Sequence, residues 1–190
     1  KIVLVSEIDE ALRLRDDGVG DLCMGEVSGK MPTGFDFGNS PYEISQQSDI
    51  RGKTIIQSTR AGTVGVNAAT RAKKIYGGSF AVAGSTVAVV NRSSPSLVSL
   101  VAMGADATVR ADEDEQCALY LRNLFLGHDP NVDCVKSLVL AGEEAQKYDD
   151  ISRPHFHPED RRIALQINAF PFAIGIHTEH GLLVARAEYA

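Results

Sequence analysis

Short apolar runs of β character alternate with helix-forming segments from the first residue onward. Residues 2–5 (IVLV), 22–27 (LCMGEV), 54–57 (TIIQ), 75–80 and 97–103 read as strands, and residues 7–15, 62–74 and 84–91 read as the helices between them. Such alternation implies a largely parallel or mixed sheet with helices on both faces, joined by right-handed crossovers. Ser6 with Asp9 three residues on is a helix start signal, and Asp17-Gly18 stops that helix. The second half is more helical. Residues 112–127, 132–147 and 158–168 space Leu, Ile and Ala at helical intervals, and two strands at 172–176 and 182–187 close the chain across His177-Thr178-Glu179-His180-Gly181. The expected architecture is α/β, a three-layer α/β/α domain over residues 1–190, with a division into interlocked parts 1–110 and 111–190 left open.

A chain with 44% hydrophobic and 23% charged residues can bury one good core. Its net charge of -6 and singly scattered Lys and Arg argue against a general nucleic-acid binder, which needs clustered basic residues. Any anionic ligand must therefore meet a local positive site. Cys23, Cys117 and Cys134 are odd in number and far apart, so they read as small buried residues in a reducing compartment. No apolar run approaches the roughly 18 to 20 residues of a membrane span and no leader-like segment opens the chain, so a cytoplasmic protein is expected. Lys1-Ile2-Val3 starts inside a strand without an initiating Met, and a segment preceding it is expected.

Two stretches stand out chemically. Ser58-Thr59-Arg60-Ala61-Gly62-Thr63 follows a strand and opens a helix, the place where parallel sheets present unpaired N–H groups to anions. Gly62 permits close approach, Ser58, Thr59 and Thr63 offer hydroxyls, and Arg60 offers a planar fork for phosphate or carboxylate. Two readings stand for it, an anion cradle and a turn that merely packs helix on strand. Walker A sequence is absent, and no Cys lies just upstream of Arg60 to make a Cys-dependent phosphatase loop. The second stretch is Gly34-Phe35-Asp36-Phe37-Gly38-Asn39-Ser40-Pro41-Tyr42-Glu43, inside a turn-rich segment of a length that is usually functional. Ser40, Pro41 and Glu43 make a capping box. Asp36 and Asn39 are left over, either aimed at a shared cleft or closing Asx turns.

Carboxylates for a divalent cation are Glu26 at a strand end and the run Asp112-Glu113-Asp114-Glu115, which the dipole of a helix start would also explain. Asp112 and Asp114 fail as a haloacid-dehalogenase pair, because Arg110-Ala111 precedes them and no Thr follows. His155-x-His157 and His177-x-x-His180 lack a third ligand at a usual spacing and read as turn residues.

Taken together, Gly25-Glu26, Pro32-x-Gly34-Phe35-Asp36-Phe37-Gly38-Asn39-Ser40-Pro41-x-Glu43, Ser58 to Thr63, Gly78-Ser79-Phe80 and Glu113-Asp114 resemble the 2-phosphosulfolactate phosphatase family in order and spacing. The resemblance implies a magnesium-dependent phosphomonoesterase that releases phosphate from 2-phospho-3-sulfolactate, a step towards coenzyme M, or from a related phosphorylated 2-hydroxy acid. It also makes a homodimer the expected assembly. Glu26, Asp36, Asn39, Ser40, Ser58, Thr59, Gly62, Thr63, Glu113 and Asp114 fall on the family's motif positions. By their chemistry, Asp36 and Glu26 would share a Mg2+ ion or orient water, with Glu113 and Asp114 as further metal ligands; Asn39, Ser40 and the Ser58 to Thr63 turn would hold the phosphoryl group, and Arg60 would neutralise charge. Two departures matter. Family members begin with a further strand carrying an Asp, and often read Thr-Asn-Gly-Thr where this chain has Arg60-Ala61-Gly62-Thr63. The competing class is a protein that binds a small phosphorylated acid without hydrolysing it.

Overall fold

The computed structural model describes residues 1–105 and 108–190. The first apolar run is β1 (Ile2–Val5), followed by α1 (Ile8–Asp16), β2 (Leu22–Gly25), the short α2 (Pro41–Ser45), β3 (Ile55–Ser58), α3 (Gly62–Ala68) and β4 (Ile75–Gly77). A 3-10 turn, Phe80–Val82, leads into α4 (Ala83–Arg92), and a second, Lys147–Asp149, lies further along the chain. Four more helices, α5 (Asp112–Phe125), α6 (Val132–Ala141), α7 (Glu143–Gln146) and α8 (Pro158–Ala164), precede the hairpin of β5 (Phe172–Glu179) and β6 (Leu182–Tyr189).

The six strands form one sheet in the order β2-β3-β1-β6-β5-β4. β1, β2 and β3 run parallel, as their crossovers require. β6 is antiparallel to β1, and β4 and β5 extend that antiparallel half. The sheet is therefore mixed. Because strand side chains alternate faces, Val3 and Val5 join Cys23, Ile56 and Val184 against Ala11 and Leu14 of α1, while Leu4 joins Ile176 and Ala185 on the opposite face with Val66 of α3. A further core of Phe80, Ala83, Tyr120, Leu121, Val139 and Leu165 contains no strand residue. It is built by α4, α5, α6 and the end of α8. No helix among the described residues is long and apolar enough to cross a membrane.

Several expected elements come out shorter, for local reasons. Residues 62–74 give only α3, whose β-branched and glycine-rich sequence GTVGVNA is a weak helix former. Residues 132–147 break at Gly142, held extended (φ -71, ψ 157) beside Asp112, whose carboxylate accepts from the Glu143 N–H at 3.3 Å and so caps α7. Residues 158–168 stop at Ala164, because Asn168 turns back (φ 57) to cap α4 through Gly84 N–H at 2.7 Å. Residues 75–80 split into β4 and the 3-10 turn. The closing hairpin is longer than expected. His177 belongs to β5, and only His180-Gly181, both at positive φ, form the turn, the geometry that right-twisted strands favour. Residues 97–103 form no strand, since no neighbouring strand lies beside them.

Candidate functional site

Parallel β2 and β3 end together, at Gly25 and Ser58. The strands close tightly there. A Cβ on Gly25 would lie 1.8 Å from the Ser58 carbonyl oxygen, so only glycine fits. Beyond this point the Glu26 N–H donates to the Ser58 carbonyl at 3.2 Å. The Glu26 carboxylate then splints two turns: Oε1 accepts from the Arg60 N–H at 3.0 Å, and Oε2 from the Gly29 N–H at 2.9 Å. Sequence placed Glu26 and Arg60 in one site. The fold brings them together through the backbone of Arg60.

Thr59 and Thr63 clasp each other. The Thr59 N–H donates to Thr63 Oγ1 at 2.9 Å, the Thr63 N–H to Thr59 Oγ1 at 3.2 Å, and Thr63 Oγ1–H to the Thr59 carbonyl at 2.8 Å. Both residues, with Ser58, are buried. The hydroxyls of Thr59 and Thr63 thus fix the turn. What the turn leaves unspent is the N–H of Ala61 and of Gly62, which make no hydrogen bond among the described residues, and the exposed Arg60 guanidinium, which has no acidic partner among them.

The Gly34 to Glu43 string runs along the outer edge of β2. Asp36 and Phe37 donate their N–H groups to the Cys23 carbonyl, and the Gly25 N–H donates to that of Phe37. Asp36 Oδ2 accepts from the Cys23 N–H at 2.7 Å and from Arg15 Nη1 at 3.3 Å, tying the string to the last turn of α1. Asn39 Oδ1 accepts from Gln57 of β3 at 3.3 Å. Ser40 caps α2 by accepting from the Glu43 N–H, as the sequence motif foretells, but it is buried and its hydroxyl donates to Asp160 Oδ1 at 2.7 Å. The same oxygen accepts from the Tyr42 N–H at 2.8 Å. A protein carboxylate thus occupies the start of α2, and Ser40 anchors the string to α8.

Glu113 and Asp114 differ in their surroundings. Asp114 Oδ2 accepts from the Gly104 N–H at 2.7 Å. Glu113 Oε2 is shielded from solvent and has no hydrogen-bond partner among the described residues. Burial pushes the Glu113 carboxyl above its ordinary range, and Glu144 and Asp114 push it further, against its own helix-start N–H and Lys147. Lys147 pairs with Glu144 and lies 6.0 Å from the Phe156 ring centroid, and Phe156 meets Tyr148 edge-on at 5.5 Å. Burial, with Asp160, Glu113 and Glu144, pushes the Tyr148 hydroxyl up to about 12. Phe156 and His155 press on Gly29, where an added Cβ would lie 2.5 Å from the Phe156 ring, so this patch abuts the turn that Glu26 braces. Lys147, Tyr148 and Asp160 are absent from the sequence-derived set. The one signal near them is the Pro154-His155-Phe156-His157-Pro158 break. His157 caps α8 and stacks on Tyr42 at 4.1 Å, and His177 pairs with Glu188 at 2.9 Å, so each has a protein partner.

Glu26, Asp36, Glu113 and Asp114 therefore do not form one donor set, and among the described residues no three His, Cys, Asp or Glu side chains converge as metal ligands do. Of the four, Glu26 stands beside the Arg60 turn. A magnesium ion needs only one or two carboxylates when water and phosphate oxygens complete its shell, and each Glu26 oxygen retains a lone pair after accepting one amide. Asp36 likewise keeps Oδ1 outside its bonds to Cys23 and Arg15.

Comparison with known proteins places the chain in a family. The profile of the 2-phosphosulpholactate phosphatase family matches residues 1–160. A probable 2-phosphosulfolactate phosphatase of Bacillus subtilis is 28% identical over 164 residues, covering 84% of this chain and 69% of that protein. One from Caldicellulosiruptor saccharolyticus is 33% identical over 135 residues, 69% of this chain and 55% of the relative. One from Thermotoga petrophila is 40% identical over 79 residues, 42% of this chain and 33% of the relative. The alignments thus span between a third and about two thirds of these proteins' own lengths. The match over residues 1–160 takes in the Glu26 splint, the Gly34 to Glu43 string, the Arg60 turn and Glu113, and the chain belongs to the 2-phosphosulfolactate phosphatase family of phosphoric monoester hydrolases.

Proposed function

We propose that the chain hydrolyses the phosphate monoester of 2-phosphosulfolactate or of a related phosphorylated 2-hydroxy acid. One observation carries the reading: in a protein of net charge -6, the turn at the end of two parallel strands holds an exposed arginine whose own N–H is pinned by a carboxylate and whose guanidinium has no acidic partner among the described residues. Arg60 grips phosphoryl oxygens or the substrate carboxylate by its planar fork, and the N–H groups of Ala61 and Gly62 donate to the same anion. Glu26 would hold Mg2+, which when bound would neutralise phosphoryl charge. Asp36 keeps Oδ1 outside its bonds to Cys23 and Arg15 and orients the attacking water, with Asn39 at the edge of the substrate. Direct attack by water is the mechanism proposed, with an aspartyl-phosphate on Asp36 as the alternative, and oxygen-18 label appearing in the protein carboxylate after a single turnover in labelled water would sink direct attack. The chain is assigned to the cytoplasm, where its three free cysteines stay reduced, and to a homodimer, with no nucleic-acid partner.

Phosphate release from a panel of 2-phospho-hydroxy acids, with and without Mg2+, tests the reading. Arg60→Ala is expected to lower kcat/KM on the order of 100-fold. A second reading, a non-catalytic binder, is favoured by the commitment of both Glu26 oxygens to amides. Saturable substrate binding with no metal-dependent turnover would select the binder and sink the phosphatase.

A further inference from the structure

The Pro154-His155-Phe156-His157-Pro158 break carries two imidazoles in unlike positions. His157 accepts from the Glu159 N–H at 3.1 Å and stacks on Tyr42, so it is spent on the start of α8. His155 is half-buried and tilted on the Phe156 ring at 4.6 Å, and neither of its ring nitrogens has a hydrogen-bond partner among the described residues. Its place is nonetheless fixed. The Phe156 N–H donates to the Arg153 carbonyl at 3.0 Å, Pro154 stiffens the chain before it, and the Phe156 ring packs between Tyr148 and Gly29.

What His155 faces is the braced turn of the candidate site. A Cβ on Gly29 would lie 3.1 Å from His155 Cδ2 and closer still to the Phe156 ring, so the bare glycine is what lets both rings approach. The Gly29 N–H is the one that Glu26 Oε2 holds at 2.9 Å, while Oε1 of the same carboxylate holds the Arg60 N–H at 3.0 Å. These contacts bring the imidazole edge within about 9 Å of Glu26 Oε2. A phosphate ester gripped by Arg60 is large enough to bridge a gap of that size. Cδ2 leads the ring towards Gly29, and the nitrogen bonded to it is Nε2.

The chemistry needs such a group. Arg60, Glu26 and Asp36 stabilise charge and orient water, but none of them supplies a proton to the ester oxygen. Negative charge builds on that oxygen as the phosphoryl group departs, and the alkoxide of a 2-hydroxy acid leaves poorly without a proton. We propose that His155 is the general acid of the site, donating from Nε2 to the ester oxygen. The bond from phosphorus to the ester oxygen breaks as a bond from phosphorus to the water oxygen forms, and the Nε2 proton passes to the ester oxygen to release the free 2-hydroxy acid. One proton of the attacking water stays on the phosphate and the other goes to solvent, from which the half-buried ring regains its own. This role rests on the phosphatase reading.

Initial rates of wild type and His155→Gln on 2-phospholactate and on its trifluoromethyl analogue, whose alcohol leaves far more readily without a proton, test it. The expected kcat of the variant falls about 100-fold on 2-phospholactate and about tenfold or less on the fluorinated ester, with unchanged thermal unfolding midpoints. His155→Asn should repeat the split, which guards against a local defect peculiar to one substitution. An equal fall on both esters overturns the general acid, because a packing role treats the two leaving groups alike, and so does an undiminished rate on 2-phospholactate. A wild type that releases phosphate from neither ester is instead the failure of the phosphatase reading, and the general acid falls with it.

Discussion

Replacing Asp160 by alanine should cost more stability than any other single change in α8, because one buried oxygen holds two elements together. Asp160 is 5% exposed, and its Oδ1 accepts from Ser40 Oγ at 2.7 Å and from the Tyr42 N–H at 2.8 Å. Hydrogen bonds to a charged acceptor contribute about 1.5–3 kcal/mol each, and the relief of desolvating a carboxylate offsets part of the loss. The net cost of Asp160→Ala comes to about 3 kcal/mol. With a urea m-value near 2 kcal/mol/M for a chain of this size, the unfolding midpoint falls by about 1.5 M. Ser40→Ala alone removes one of the two bonds and the cap on Glu43, costing about 1–2 kcal/mol. Because the two side chains share a bond, the double variant should cost about 1 kcal/mol less than the sum of the singles. Urea titrations of the four proteins measure this coupling. A midpoint shift below about 0.3 M for Asp160→Ala, or strict additivity in the cycle, would refute the latch.

Three other perturbations follow from the same geometry. Gly25→Ala drives a methyl into the Ser58 carbonyl, so thermal unfolding should show a loss on the order of 3 kcal/mol, with the Glu26–Arg60 contact broken. Glu26→Gln leaves one acceptor for two amides; amide exchange should quicken at Gly29 or Arg60, with a stability cost of about 1–2 kcal/mol, and unchanged exchange at both would refute the splint. Glu113 has a folded-state pKa raised above the ordinary value near 4.5, so its stabilising contribution is complete below that value and is lost as pH rises through the raised one. Glu113→Gln should therefore be more stable than wild type at pH 8, with the advantage vanishing near pH 4; a pH-independent difference in denaturation midpoint would refute this.

Much of the sheet was legible because β1, β3 and the β5–β6 hairpin carry their apolar pattern locally. The misreadings share one cause, that a short apolar run does not reveal its neighbours. Residues 97–103 have strand composition, and only the assembled sheet shows that β4, not this run, lies beside β5. The broken helices failed for a related reason. Gly142 and Asn168 interrupt helical periodicity in order to meet Asp112 and Gly84, partners 30 and 84 residues away that no sequence window contains.

The site divides along the same line. Glu26, Arg60, Thr59 and Thr63 were legible as residue types at a strand end, but residue types do not show the backbone bonds that engage the Glu26 carboxylate and both threonine hydroxyls. A turn that must hold its N–H groups toward an anion has to satisfy its other polar groups internally, so motif residues next to a binding loop are as apt to be splints as ligands. Ser40 makes the point most sharply. Its capping role was readable from Pro41 and Glu43 three residues away, whereas Asp160, which buries it, lies 120 residues along the chain. The Gly34 to Glu43 string is consequently held from two sides, by Arg15 of α1 through Asp36 and by Asp160 of α8 through Ser40. A change in the helical half of the molecule therefore reaches the edge of β2, and through Gly25 the Glu26 splint, without touching any residue of the Arg60 turn.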